Sequence, residues 1–345
     1  MPRYIVRRLL ESIILLFIIS IVIFFLANSA GDPVETMGGI VGLRSEEYEQ
    51  LRRKLGLDQP VYLQYTYWLV GNDWAKIDMD GDGIQETPGI RKGILRGDFG
   101  TSLTDRGVSV LGLILSRIPN TLILMIPAQI LIIVLGISFG ITSALKQYSF
   151  LDNFLTAFSF VGLSTPVFII ALVLIYIFSG LFRRWGLPYL PSVGMFDFEK
   201  GKTVSQIVIH LIMPVSCIVF LSMAKYVRYA RSAMLEVINQ DYIRTAKAKG
   251  LEIKYIISSH AFKNAALPII TLIGMDLPLL LAGAAVTEKI FAWPGMGRLF
   301  LDHVNNYDTP VVMGIIIFVA IAVVICQIIT DLTYAALDPR IRLYR

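Results

Sequence analysis

The sequence predicts an all-α integral membrane protein with six transmembrane helices. Of its 345 residues, 55% are hydrophobic and only 17% are charged. The mean hydropathy of +0.66 is higher than the core of a soluble domain requires. Six apolar stretches reach the roughly 20 residues that a helix needs to cross a bilayer. They lie at about 9–28, 118–145, 154–181, 205–227, 265–288 and 311–334.

The basic residues predict which ends of the helices face the cytoplasm. Six spans place both termini on one side, and the short segments on that side contain fifteen Lys and Arg residues. The two opposite short segments, 182–204 and 289–310, contain six. Because Lys and Arg concentrate on the cytoplasmic side of membrane proteins, we expect a multi-pass protein of the cytoplasmic (plasma) membrane with both termini in the cytoplasm.

This topology divides the chain into four regions. They are a cytoplasmic N-terminus with the first helix at 1–28, an extracytoplasmic region at 29–113, a five-helix core at 114–335 that includes a cytoplasmic loop at 225–264, and a cytoplasmic tail at 336–345. The small residues Ala27-Asn28-Ser29 suit signal peptidase, but the apolar run before them is longer than a signal core. We therefore expect the first helix to be retained.

The composition does not indicate an enzyme or a nucleic-acid-binding protein. Cys217 and Cys326 both lie in apolar stretches and suit packing rather than a disulfide or a metal site. The three histidines lack ligand-like spacing, and the sequence has no glycine-rich phosphate loop. The 225–264 segment has eight basic and three acidic residues, a net charge of +5 that equals that of the whole chain. The net positive charge of the chain is therefore accounted for by one loop, and it does not indicate a nucleic-acid-binding surface.

The extracytoplasmic region contains the opening of a calcium loop. In DMDGDGIQE three aspartates alternate before a glycine, as in an EF-hand loop, and a backbone carbonyl and a glutamate follow as further oxygen ligands. The predicted calcium ligands are Asp78, Asp80, Asp82, Ile84 and Glu86. A full loop has a bidentate Glu at its twelfth position, where this chain has Gly89. The alternative interpretation is a solvated acidic turn.

The basic segment after the fourth span predicts a short helix that touches a partner. Asp241 is suited to capping a helix over Tyr242–Lys249, and Gly250 can adopt the left-handed conformation that ends it. Ile243, Ala246 and Gly250 recur at helical spacing and form a shallow face that permits close approach of a partner. The alternative is a helix held at the membrane surface by anionic lipid.

Two motifs in this segment resemble a known family. DYIRTAKAKGL at 241–251 and HAFKNAALPIIT at 260–271 are similar to the cytoplasmic signature loop of ABC importer permease subunits, in the dipeptide and oligopeptide group. The resemblance implies that the short helix is the coupling helix, which sits in a groove of an ATPase subunit. The residues that it implies in coupling are Asp241, Tyr242, Ile243, Arg244, Thr245, Ala246, Lys249, Gly250 and Leu251.

This segment departs from the general family pattern at two points. Where the pattern has Glu-Ala-Ala, this chain has Arg244-Thr245-Ala246, so the Glu is absent. The distance from Gly250 to Leu267-Pro268 is also longer than in the general pattern, as the peptide group tends to have it. The departures therefore indicate a subgroup of the family.

Further motifs in family order extend the resemblance over nearly the whole chain. They are PRYIVRRLL at the start with GDP at 31–33, GDFGTSL at 97–103, SRIPNTLIL at 116–124, EKIFAWPGMGRLF at 288–300 and YAALDPRIR at 334–342. They resemble the first, B-type, of the two paired permeases of peptide importers. The resemblance implies a type I ABC importer permease fold and half of a pathway for peptides or similar solutes, which opens alternately to each side of the membrane.

The resemblance also implies partners. They are a second permease subunit, two ATP-binding subunits that hold ATP and Mg, and an extracytoplasmic solute-binding protein. This chain would then contain no cofactor of its own apart from the predicted calcium, and it would not be an enzyme. The alternative function is an ion-coupled secondary transporter, which is expected to show inverted repeats and broken helices that carry charge.

Asp276 is a charged residue deep in the fifth span. Leu280, Gly283 and Thr287 follow it at i+4, i+7 and i+11, so a continuous helix would place all of them on one face. An ionisable group is costly against lipid and should face protein or water. This predicts either a solute pathway along that face or a packing contact. We expect Glu288, closer to the end of the span, to be solvated, and the following WPGMG to form a tight turn.

Overall fold

The computed structural model describes residues 2–29, 49–50, 52–53, 56–78, 87–105, 107–252 and 255–337. Within these ranges the protein is mainly helical. The helices are α1 (Pro2–Ser29), α2 (Val61–Leu69), α3 (Val110–Leu145), α4 (Phe150–Ser164), α5 (Val167–Leu174), α6 (Phe182–Arg184), α7 (Val204–Ile238), α8 (Asp241–Ala248), α9 (Phe262–Asp276), α10 (Leu279–Ala282), α11 (Ala285–Ile290), α12 (Met296–Asn305) and α13 (Thr309–Leu337).

Shorter elements complete the described chain. Ile175–Leu181 and Ile256–Ala261 are π-helical, and Ile94–Arg96 forms a 3-10 turn. The strand β1 (Lys76–Ile77) pairs antiparallel with β2 (Thr87–Pro88).

Six helical segments in the described ranges are long and apolar enough to cross a membrane, which confirms the predicted fold class. They are Val6–Ser29, Val110–Leu145, Val167–Arg184, Val204–Ile238, Phe262–Ile290 and Thr309–Thr333. Many of their large apolar side chains are exposed, among them Ile13 and Ile14 on α1. Apolar surface of this extent is unusual for a water-soluble monomer and suits contact with lipid.

The prediction of a single helix over the third span, 154–181, is wrong. α4 ends at Ser164, Thr165 is extended with ψ 126°, and α5 begins after Pro166. Proline disfavours helical geometry in the preceding residue and has no N–H to donate, so the helix stops there. The membrane-crossing segment is Val167–Arg184, in which α5 continues through a π-helical stretch into α6.

The fifth span is also interrupted. α9 ends at Asp276, α10 covers a single turn, and Gly283 has φ +79° before α11 begins. Glycine adopts a positive φ easily, but a right-handed helix cannot continue through it. The chain therefore changes direction within a segment whose composition predicts one straight helix.

The chain forms two compact units. The first comprises Met1–Ile118 and Leu299–Val324, and the second Pro119–Arg298 and Ile325–Arg345. In the second unit α7 packs against α4, α5 and α9. It also approaches α3 closely: a Cβ on Gly136 or Gly140 would overlap Tyr226 or Ala230. Small residues at this spacing let membrane helices pack closely.

In the first unit, α1 packs against α2 and α13. Phe24 and Met313 are buried together, and Tyr65 and Trp68 of α2 pack against them. The Oγ of Ser20 and the hydroxyl of Tyr65 are 2.8 Å apart, within hydrogen-bonding distance. An aromatic cluster with one satisfied polar group thus holds α2 against the end of α1.

Asp308 connects residues 102–104 to the start of α13 in the same unit. Its Oδ2 accepts hydrogen bonds from Ser102 Oγ at 2.5 Å and from Thr104 Oγ1 at 2.8 Å. His303 Nδ1 lies 3.2 Å from the same oxygen. Burial raises the pKa of Asp308, but the contacts with His303, Ser102 and Thr104 outweigh burial and hold the pKa below its usual range.

Candidate functional site

α8 is the short basic helix that the sequence predicts. It runs over Asp241–Ala248, and Gly250 follows with φ +75°, as in helices that end on a left-handed glycine. Asp241 is the first helical residue and not the residue before the helix. Its carboxylate is 97% exposed and lies 3.7 Å from Arg244, and a pair this exposed contributes little to stability.

The protein itself covers the inner face of α8. Ile243 is 1% and Ala246 8% exposed, and both belong to one apolar cluster with residues of α3, α7 and the chain that leads into α9. The other buried members are Ala144, Ala233, Met234, Ile256, Ala261 and Ala265. The prediction that Ile243 and Ala246 form the face offered to a partner is therefore wrong. Their burial holds α8 against the longer helices.

The outer face of α8 and the residues after it are accessible to a partner. The Arg244 side chain is 74% exposed, and Tyr242 and Leu251 are exposed large side chains. Other exposed coupling candidates are Thr245, Lys249 and Gly250. The Tyr242 hydroxyl accepts a hydrogen bond from Asn264 Nδ2 at 3.0 Å. This bond gives α8 a second connection to α9.

An ion pair joins α4 and α7. Its arginine on α7 is close in sequence to residues of the apolar cluster that covers α8. Arg231 on α7 donates from Nε and Nη2 to the two oxygens of Asp152 on α4, at 3.0 and 2.9 Å. Ser143 on α3 also donates to this carboxylate. The Arg231 guanidinium is the main group that holds the pKa of Asp152 below its usual range, against the effect of burial. Sequence reasoning missed this pair because its members are 79 positions apart.

Asp276 is held by polar side chains of the second unit. Lys225 Nζ donates to its two oxygens at 2.7 and 2.9 Å, and the Tyr226 hydroxyl donates at 2.7 Å. Gln129 Nε2 donates in turn to the Tyr226 hydroxyl at 2.9 Å. These contacts connect α9 with α7 and α3, as the packing interpretation of Asp276 predicts. The pathway interpretation stays a prediction.

The other pathway candidates do not line up with Asp276. Leu280 on α10 packs against the apolar core of the second unit, and Thr287 on α11 is buried. Gly283 lies between these two helices and has the positive φ that separates them. The prediction of one continuous helix face is therefore wrong, because the left-handed glycine divides the span into separate helical pieces.

Glu288 is fully buried, so the expectation that it is solvated is wrong. Its Oε1 accepts a hydrogen bond from the N–H of Ala284 at 3.2 Å, and its Oε2 accepts one from the N–H of Arg298 at 2.9 Å. A Cβ on Gly295 would lie 2.5 Å from Oε2, so glycine is needed for the chain to pass this close. The carboxylate connects the start of α11 with the start of α12.

The turn predicted at WPGMG lies between α11 and α12, and it is anchored to α3. Trp293 is fully buried. Its Nε1 donates to the carbonyl of Asn120 at 2.8 Å, and Asn120 Nδ2 donates to the carbonyl of Pro294 at 3.0 Å. The N–H of Met296 donates to Thr121 Oγ1 at 2.7 Å. The two motifs that contain these residues, SRIPNTLIL and EKIFAWPGMGRLF, thus form one structural element.

The predicted calcium loop lies mostly outside the described residues. Asp78 follows β1 and is partly buried. The other predicted ligands, Asp80, Asp82, Ile84 and Glu86, lie outside the described ranges. Calcium binding stays a prediction.

Sequence-family profiles match almost the whole chain. The family described as binding-protein-dependent transport system inner membrane component matches residues 136–343. The N-terminal region of such membrane components matches residues 1–125.

Full-length relatives are permease proteins. The chain is 38% identical over 342 residues to the oligopeptide transport system permease protein AppB of Bacillus subtilis, with 99% of each chain covered. It is 34% identical over 363 residues to the dipeptide transport system permease protein DppB of Escherichia coli, also with 99% of each covered. It is 31% identical over 343 residues to the glutathione transport system permease protein GsiC of Escherichia coli, again with 99% of each covered.

A solved structure shares the fold. The MetNI methionine ABC transporter matches with a TM-score of 0.52 at 16% identity, over 66% of this chain and 97% of that chain. This similarity confirms the type I ABC importer permease fold. The family resemblance inferred from the motifs is also confirmed, and the chain is a transport component and not an enzyme. The chain belongs to the family of inner membrane components of binding-protein-dependent transport systems.

Proposed function

We propose that this chain is one of two permease subunits of an ABC importer for peptides, and that α8 is its coupling helix. The observation that carries the proposal is the two-sided character of α8. Its apolar residues bury against the ends of α3 and α7, while Arg244 and Tyr242 are exposed. A helix packed in this way can transmit a displacement by a partner to the spanning helices against which it packs.

The coupling residues divide into two groups by burial. The exposed residues contact an ATPase subunit. They are Asp241, Tyr242, Arg244, Thr245, Lys249, Gly250 and Leu251. Ile243 and Ala246 act from the inner face, where they hold α8 against the helices that must move.

The proposed complex contains a second permease subunit, two ATP-binding subunits and an extracytoplasmic solute-binding protein. The full-length similarity to oligopeptide and dipeptide permeases supports the peptide class of solute. ATP and Mg bind in the ATP-binding subunits. Both termini and α8 face the cytoplasm, an orientation supported by the fifteen Lys and Arg on that side against six on the other.

In the proposed mechanism, closure of the ATP-binding subunits displaces α8. The apolar cluster carries α3, α7 and the start of α9 with it, and the Asp152–Arg231 pair includes α4 in the same motion. Rigid movement of these packed helices would then change the side to which the pathway opens. Membership of this family decides against an ion-coupled secondary transporter.

Reversal of one exposed charge tests the assignment of α8. In a complex reconstituted in proteoliposomes, Arg244→Glu is expected to reduce both co-purification of the ATP-binding subunits and ATP-driven uptake of a labelled dipeptide. Arg184→Glu is the matched control, because Arg184 is also exposed but lies at the end of the third span, on the proposed opposite side. Equal losses in the two variants, or uptake by Arg244→Glu at the parent rate, would contradict the proposal.

A further inference from the structure

The first unit contains a cavity of about 270 Å³ between the last turns of α1, the first turn of α13, α2 and residues 91–100. Most of its wall is apolar, and aromatic side chains from three parts of the chain contribute to it, namely Phe24, Trp68 and Phe99. Two charged residues, Arg91 and Asp98, line the same cavity. A mostly apolar cavity with a few polar groups is the usual form of a small-molecule site.

The backbone of Arg91 is fixed, whereas its side chain has no direct partner. Its N–H donates to Asn72 Oδ1 and its carbonyl accepts from the N–H of Asn72, both at 2.9 Å. Within the described ranges no residue forms a hydrogen bond or an ion pair with its guanidinium. The residue is partly buried. Burial lowers the pKa of Arg91 and the charge of Asp98 opposes this effect, and the guanidinium stays charged.

Asp98 provides the opposite charge in the cavity. Its two oxygens accept hydrogen bonds from the N–H groups of Lys92 at 2.9 Å and Gly100 at 3.0 Å. These bonds orient the carboxylate and leave acceptor sites for another donor, because each carboxylate oxygen has two. Asp98 acts on Arg91 through its charge, without a hydrogen bond between them. The two charged groups therefore share one cavity without direct contact.

The other basic residues nearby do not change this one-to-one balance. Arg52 lines the cavity but has an interaction partner of its own. Arg96 donates to both oxygens of Asp73, at 2.7 and 2.6 Å, and Lys92 is exposed and outside the lining. An anion in the cavity would be repelled by the carboxylate and a cation by the guanidinium, whereas a zwitterion would be attracted by both groups.

We propose that this cavity binds a small zwitterionic peptide, with the terminal carboxylate of the peptide on Arg91 and its terminal ammonium group on Asp98. The inference rests on the peptide class of solute proposed above. The guanidinium fork matches the two oxygens of a carboxylate, and the Asp98 carboxylate accepts from the ammonium group. The aromatic wall covers the side chains of the peptide.

The size and the polar rim of the cavity favour a dipeptide. Small-molecule sites usually measure roughly 300–1,000 Å³, and this cavity lies just below that range, which suits two residues better than a longer peptide. Asn28 also lines the cavity. Its Nδ2 donates to Gln64 Oε1 at 3.3 Å, which leaves its Oδ1 to accept from the N–H of the peptide bond. A zwitterionic lipid head group has no such N–H to offer.

Peptide binding to the full chain in detergent tests this proposal. Isothermal titration would compare three ligands that differ only in their charged ends. Dialanine has both charges, N-acetyl-dialanine has only the carboxylate, and dialanine amide has only the ammonium group. We expect dialanine to bind about tenfold or more tightly than either blocked form, which is the effect of one hydrogen bond to a charged group.

Two variants should remove the two ends of recognition separately. Arg91→Gln is expected to lower the affinity for dialanine about tenfold, to that of dialanine amide, without weakening the amide. Asp98→Asn is expected to lower the affinity for dialanine to that of N-acetyl-dialanine, without weakening N-acetyl-dialanine. Lys92→Gln is the matched control for Arg91→Gln, since it removes the same charge from an exposed neighbour outside the lining.

Four results would overturn the proposal. They are the absence of dialanine binding, equal affinity of the parent for the three ligands, equal weakening of all three ligands by Arg91→Gln, and displacement of dialanine by phosphatidylethanolamine, which would assign the cavity to lipid. If a variant does not fold, the comparison of the three ligands on the parent still decides. The titration needs neither ATP nor the ATP-binding subunits, so its failure would leave the assignment of α8 intact.

Discussion

Arg231 and Asp152 form a two-point ion pair between α7 and α4, with donor to acceptor distances of 3.0 and 2.9 Å. The side chain of Asp152 is 3% exposed and that of Arg231 is 29% exposed. Loss of one partner from a buried pair leaves the other charge uncompensated and costs about 3–5 kcal/mol. Because Arg231 lies two residues before Ala233 of the cluster that covers α8, we expect the pair to keep α4 and α7 rigid where the proposed displacement of α8 would reach them.

Asp152→Asn tests this role. We expect the free energy of unfolding to fall by about 3 kcal/mol, measured as a lower unfolding temperature in detergent. Glu11→Gln is the control, because the Glu11–Arg7 pair is exposed and pairs of that kind contribute about 0–1 kcal/mol. A double variant, Asp152→Leu with Arg231→Met, should be more stable than Asp152→Asn, since no charge is then left unpaired. A double variant less stable than the single one would show that the pair is not the cause.

Gly250→Leu tests the end of α8. Nothing lies within 4 Å of the position that a Cβ would occupy, and φ is +75°. A side chain therefore has room within the chain, and its cost is conformational, about 1–2 kcal/mol for an ordinary residue in the left-handed region. Asn tolerates this region better than Leu. Gly250→Asn should thus keep more ATP-driven dipeptide uptake than Gly250→Leu. If Gly250→Leu imports dipeptide and stimulates ATP hydrolysis like the parent, α8 is not the coupling helix.

Features that depend on neighbouring residues could be predicted from the sequence. The lengths of the apolar stretches predict the spans, and Gly250 predicts where α8 ends. Both predictions depend only on residues that are adjacent in the sequence. Contacts between distant residues could not be predicted. The spacing of Ile243 and Ala246 indicates an apolar face but does not say whether the protein or a partner covers it. The position of Glu288 near the end of a span suggests solvent, yet the residue is buried and accepts a hydrogen bond from an N–H group ten residues later.

Glu288→Gln tests whether a carboxylate is required between α11 and α12. Both of its oxygens accept from backbone N–H groups, and a Gln amide would turn a donor toward one of them. The loss of a hydrogen bond to a charged group costs about 1.5–3 kcal/mol. We expect a corresponding drop in the unfolding temperature. Lys289→Gln changes the adjacent exposed residue and should have little effect. Equal unfolding temperatures for the two variants would show that the carboxylate is dispensable.

Asp308 should make the stability of the first unit depend on pH. The folded protein holds its pKa below the usual range, because the contacts with His303, Ser102 and Thr104 outweigh burial. A group with a lowered folded pKa stabilises the protein above its unfolded pKa, about 3.9 for Asp. This contribution is lost as the pH falls toward the folded pKa. We therefore expect Asp308→Asn to unfold at a lower temperature than the parent at pH 7, and the difference to shrink on acidification below about pH 4.

Asp58→Asn, at an exposed position of the same unit, should follow the parent profile. A difference between Asp308→Asn and the parent that stays constant with pH would show that the charge of Asp308 is not what stabilises the fold.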